Sequence, residues 1–102
     1  MKAYRIDPSK GMEIGLYTLG DHILNPLDGK RLSAEERIQQ IIDMAKLAEE
    51  AGLEVFGVGE SHQTYFVSQA HTVLLAAIAQ ATEKIKIAST ATVLSVHDPV
   101  RI

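Results

Sequence analysis

Hydrophobic and polar positions fall into an alternation of short apolar runs and longer amphipathic stretches. "MEIGLYTLG" places β-favouring Ile14, Tyr17 and Thr18 among Leu16 and Leu19 and ends at a glycine, which predicts a strand of about six residues. "DHILNPLDGKRL" is rich in turn formers, Asn25-Pro26 and Asp28-Gly29, and predicts a long loop, a kind that often carries function. Ser33 followed by Glu36 forms a capping-box pattern that opens a helix. Ile38, Ile41, Ile42, Ala45 and Ala48 recur at helical spacing, with Gln39, Gln40, Asp43 and Glu50 on the other side. Leu47 falls among the polar positions, either as a single exposed residue or as part of a contact. Gly52 suits the left-handed position that ends the helix.

"LEVFGVG" is apolar at successive positions, as a strand covered on both faces requires. "ESHQTYFV" predicts a loop and Ser68 a second N-cap. Ala70, Val73, Leu74, Ala77, Ile78 and Ala81 form the expected apolar face of a second helix, and "TEKIKIASTATVL" a third strand. Asp98 as N-cap and Pro99 at the first helical position then predict the start of a third helix. The order is strand, helix, strand, helix, strand, helix start: an α/β fold with right-handed parallel crossovers. A strand buried on both faces does not suit an open sheet edge. A (β/α)8 barrel needs about 250 residues to close. The 102 residues are therefore expected to be the front of a longer enzyme.

Charge and composition narrow the function. A net charge of −3, with no cluster of Lys and Arg, argues against a nucleic-acid partner. The charges of "SAEER" and "KLAEE" belong to the solvated face of the first helix. The absence of Cys excludes disulfides, Cys-ligated zinc and thiol catalysis. "MKAYRIDPSKGM" lacks a signal-peptide core and no stretch approaches membrane-spanning length, so a cytoplasmic, non-membrane protein is expected. Residues 1–11 are expected to form a polar N-terminal extension, with Met12 an alternative start, and residues 12–102 one continuous domain.

Parallel α/β enzymes place their chemistry beyond the C-terminal ends of the strands. There the chain offers "YTLGDH", "GESH" and "STATVLSVHD". Gly57 and Gly59 form a G-x-G, but His62 stands where a dinucleotide fingerprint needs its third glycine. Close packing in a buried strand explains both glycines more simply. Glu60 and His62 suit acid/base chemistry or the orientation of a ring, and equally a Glu bonded to loop amides beside a partly exposed His. His22 and His97 share the rim; His71, early in the second helix, is expected to be structural. Tyr17 and Thr18 end the first strand and either face a ligand or pack in a core. No His pair has metal-ligand spacing, so no metal is expected.

Taken in order, "EIGLYTLGD", "LAEEAGLEVFGVGESH" and "LLAAIAQATEKIKIASTATVLSVHDPVR" resemble the bacterial luciferase-like family of flavin-dependent monooxygenases, over residues 12–102. The resemblance implies the first three βα units of a (β/α)8 barrel that binds reduced FMN at its C-terminal mouth. The implied enzyme uses O2 to oxidise a small organic substrate, often with a separate flavin reductase and as a homo-oligomer; the exterior of either helix, including Leu47, would suit the interface. Where the family commonly shows Glu-His-His, this chain reads Glu60-Ser61-His62, so Ser61 replaces the His that assists flavin chemistry in the luciferases proper. His62 becomes the implied catalytic residue. Glu60, Thr90 and Ala91 become cofactor-binding residues, and Tyr17 and Ser61 substrate-binding residues. The Thr90–Ala91 bond corresponds to a non-proline cis peptide of the family. Two other readings stand beside this one: a related barrel oxidoreductase using deazaflavin F420, and a non-catalytic α/β interaction module that completes its sheet with a partner.

Overall fold

A computed structural model describes residues 7–102 of the chain; residues 1–6 of the expected N-terminal extension lie outside the described part. Residues 8–10 make a single exposed 3-10 turn capped by Asp7. Three parallel strands follow in chain order, β1 (Gly15–Thr18), β2 (Val55–Gly59) and β3 (Lys86–Ala91). They are joined by two helices, α1 (Ala34–Glu50) and α2 (His71–Ala81). The expected α/β order is what forms, with β2 central and β1 and β3 at the edges.

α1 begins as its local sequence dictates. The Ser33 hydroxyl accepts the Glu36 N–H at 3.1 Å, and the Glu36 carboxylate accepts the Ser33 N–H at 2.8 Å. Two of the helix's orphan donors are thereby satisfied. Gly52, at φ +85°, takes the left-handed conformation just beyond the end of the helix. Ile41, Ala45 and Ala48 face inward, and Leu47 stays exposed.

The core lies between the helices and one face of the sheet. Phe56 and Val58 of β2, Ile41 of α1 and Ile78 of α2 are all fully buried. Each such side chain contributes roughly 1.5–3 kcal/mol through removal from water. The other face of β2 carries Gly57 and Gly59, and all positions from Phe56 to Gly59 are buried, as the unbroken apolar run requires.

α2 differs from expectation in two respects. Its buried stripe is His71, Leu74, Leu75 and Ile78, while Val73 is 69% exposed. Alanines at 76, 77, 79 and 81 make nearly every side of this helix apolar, so periodicity alone does not single out the face. The bulkier residues win the core because they remove more area from water. Ser68 is not its N-cap: α2 starts three residues later, and the Ser68 hydroxyl donates to the Leu19 carbonyl at 2.5 Å. At Asp98 the carboxylate accepts the Val100 N–H at 2.9 Å, the capping bond expected there.

The N-terminal end of the sheet is fastened by side chains. Glu49, at the end of α1, accepts backbone N–H bonds from Glu83, Lys84 and Ile85, the last two at 2.6 and 2.9 Å. These bonds, first that from Ile85, hold its carboxyl below the usual carboxylate range. Glu49→Ala is expected to leave the strand order intact and lower Tm by roughly 5 °C. Faster amide exchange at Lys84 and Ile85 would accompany the shift, while α1 itself keeps its protection.

Candidate functional site

The C-terminal ends of the strands bring three of the expected residues together. Tyr17, Leu19, Thr90 and Ala91 line one open cleft of about 380 Å³. Tyr17 is 67% exposed and so faces the cleft rather than a core. Beneath them run the two glycines of β2. A Cβ on Gly57 would strike Thr90 Cγ2 and lie 3.3 Å from Tyr17 Cβ, and one on Gly59 would lie 2.5 Å from Leu19 Cδ2. The close-packing explanation for the G-x-G thus holds, and it also gives the cleft its floor.

β3 reaches this point through a bulge. Val58 pairs with Ser89 but Gly59 pairs with Ala91, so Thr90 is the extra residue. Bulges re-aim a side chain, and here the re-aimed one is Thr90. The Thr90–Ala91 peptide expected to be cis is trans, as is every other bond among the described residues. Trans is the lower-energy form by about 3–4 kcal/mol. The backbone turns into the site by the extra residue instead.

Glu60 follows β2 directly, and its N–H donates to the Ala91 carbonyl at 2.9 Å. Its side chain lies on the side of β2 that carries Phe56 and Val58, not in the cleft. That carboxylate is wholly shielded from solvent. Oε2 accepts from His62 Nε2. Oε1 accepts from His97 Nε2 at 2.6 Å and from the Val93 N–H at 3.0 Å. The third ring, His71, is 1% exposed and holds Nδ1 3.6 Å from Oε1, with Nε2 on the hydroxyls of Ser89 and Thr92. One buried carboxylate thus collects three histidines from three segments.

Burial pushes the Glu60 carboxyl up, but hydrogen bonds from His62, Val93 and His97 and the His97 charge overcome it and hold the group at about 2. The unfolded carboxyl titrates near 4.5. The stabilisation from this difference is therefore complete above about pH 5, and is lost as pH falls through 4.5 towards 2. Wild-type Tm is expected to fall across that window, and Glu60→Gln, which cannot ionise, is expected to fall less steeply over the same range.

Ser61 is half-buried between Glu60 and His62, whose side chain is 50% exposed at the rim. His22 lies apart, donating Nε2–H to the Leu32 carbonyl at 2.5 Å. It borders a larger open cleft of about 520 Å³ beside α1. Several charges there are already engaged: Arg37 with Asp21, Glu36 in the helix cap, Asp28 with the Lys30 N–H, and Arg31 over the Tyr65 ring. Among the described residues no three His, Cys, Asp or Glu side chains are placed to hold a metal ion. No helix among them is long and apolar enough to cross a membrane.

His97, expected on the rim but without a role there, bonds the Glu60 carboxylate, and His71, expected to be structural, is buried beside it. His71 had a usable signal: with Leu74, Leu75 and Ile78 it stands at helical spacing on one stripe, and a polar ring on a buried stripe requires a buried partner.

Residues 12–102 match the luciferase-like monooxygenase family. The chain belongs to that family. A search of curated proteins gave no match. The parallel three-stranded sheet with its two crossover helices is consistent with a partial luciferase-like fold, and membership points to an oxidoreductase of monooxygenase type.

Proposed function

We propose that this luciferase-like chain forms the first three βα units of a (β/α)8 barrel that binds reduced FMN at its mouth and oxidises a small organic substrate with O2. The observation that carries the reading is the convergence of Tyr17, Leu19, Thr90 and Ala91 over a glycine floor at the C-terminal ends of parallel strands. The exposed edges support the barrel: Leu16 of β1 and Ile87 of β3 are exposed apolar residues on strands with one unpaired side. Further βα units would pair both edges with strands and cover both side chains with helices.

The residues present fit the ring end of such a cofactor. The cleft is shallow, mostly apolar, and offers the Tyr17 and Thr90 hydroxyls to a flat heterocycle. It contains no cation, so a phosphate would be held elsewhere. When bound, reduced flavin would supply the electrons for O2 activation. The chain's own part is to orient the ring with Thr90 and Ala91, to limit its approach through Leu19, and to hold a proton carrier, His62, at the rim with Glu60 behind it. Ser61, in place of a second imidazole, offers only a hydroxyl, which favours oxidation chemistry other than the light-emitting aldehyde reaction. A flavin reductase partner, homo-oligomeric assembly and a cytoplasmic location accompany this proposal.

Equilibrium titration of the protein expressed from its complete gene, with FMN and F420 in parallel and under reducing conditions, tests it. Saturable binding of FMN with at least tenfold preference over F420 is the expected result. The reverse preference would replace FMN by the deazaflavin, and binding of neither would remove the flavin reading.

A further inference from the structure

We infer that His97 is a second proton-carrying group of this site, coupled to His62 through the two oxygens of the buried Glu60 carboxylate. Its use in turnover rests on the oxidoreductase reading above; its existence does not. Both rings present Nε2 to the carboxylate, His62 at Oε2 and His97 at Oε1. A carboxylate only accepts, so each Nε2 carries the hydrogen. No hydrogen bond engages Nδ1 of either ring among the described residues. Each neutral ring therefore keeps one free lone pair as a base.

The charges facing the pair are few. Glu60 and His62 come from the loop after β2, His71 from the first turn of α2, and His97 from the segment after β3. Asp98, next in sequence to His97, is engaged with the Val100 N–H. With both rings and the buried His71 neutral, the trio of Glu60, His62 and His97 carries one negative charge. A proton delivered to Nδ1 of His62 or His97 forms a new N–H bond there, its donor keeping the electron pair of the bond that breaks, and brings the trio to zero. A second proton finds the carboxylate already compensated and leaves a net positive charge. The two rings therefore sense each other's charge through the shared carboxylate. Glu60, which does not meet the cleft, is the positioning residue, and its two oxygens connect the loop after β2 to the loop after β3.

The test is an imidazole ¹H–¹⁵N NMR pH titration of the protein expressed from its complete gene, without added cofactor. In the wild type His62 and His97 should each show two inflections, one at the other's titration. In His97→Asn, His62 should lose the inflection set by His97, and in His62→Asn, His97 should lose the one set by His62. Whichever ring protonates second in the wild type should move to higher pH once its neighbour is gone. Both rings are partly exposed, so these variants are expected to fold, which circular dichroism checks on the same samples. An unchanged His62 curve in folded His97→Asn would overturn the coupling. FMN binding on the same samples separates the two claims: coupling without FMN binding rejects only the cofactor, and FMN binding without coupling rejects only the relay.

Discussion

Gly57→Val is expected to weaken FMN binding at least tenfold while the protein keeps its parallel sheet. The Cβ alone collides with Thr90 Cγ2, and its neighbours Tyr17 Cβ and Thr90 Cβ lie 3.3 and 3.4 Å away. A branched side chain has no rotamer that avoids all three, so Thr90 must leave the position that the bulge gives it. Tenfold corresponds to about 1.4 kcal/mol of lost binding free energy. Tm should fall as well, because overpacking forces neighbouring groups off their preferred geometry. Val73→Thr, a change that keeps the side chain's shape on the exposed side of α2, should alter neither quantity. Parallel titrations and melting curves of the two variants provide the comparison. Equal FMN affinity in Gly57→Val and wild type would show that the glycine floor has no part in binding.

Glu60→Ala should be the most damaging single change at the rim, lowering Tm by roughly 10 °C. It removes the acceptor of His62, His97 and the Val93 N–H together, from a position shielded from solvent. Leaving a shielded donor such as the Val93 N–H unpaired costs more than its bond was contributing. Amide exchange at Val93 should accelerate strongly, since its partner is gone. Glu60→Gln keeps one carbonyl acceptor and the shape, so about half the loss is expected. If alanine is tolerated with Val93 still protected, the carboxylate does not organise the two loops.

How much of this was legible in the sequence follows from the range of each interaction. The capping box at Ser33 and the glycine after α1 depend on neighbours within four residues, so the pattern shows them directly. β2 was legible because burial on both faces leaves an unbroken apolar run. The gathering of Tyr17, Thr90 and Ala91 follows from topology alone, since parallel strands put all their C-terminal ends on one rim. The face of α2 was not legible, because alanines around the helix blur the period and bulk decides. Nor was the role of Ser68, whose partner Leu19 lies 49 residues away in the chain. The bulge at Thr90 is a matter of register between two strands, which neither strand's sequence encodes by itself. His97 was visible as a rim residue, but its bond to Glu60 spans 37 residues and needed the fold to appear.

The central claim is that the cleft over Gly57 and Gly59 receives the flavin ring. Hydrogen exchange of the protein expressed from its complete gene, with and without saturating reduced FMN under anaerobic conditions, tests it most directly. The account predicts new protection at Tyr17, Leu19, Gly57, Gly59, Thr90 and Ala91, with the loop from Asp21 to Leu32 unchanged. Protection confined to that loop, or spread elsewhere with the cleft unaffected, would contradict it.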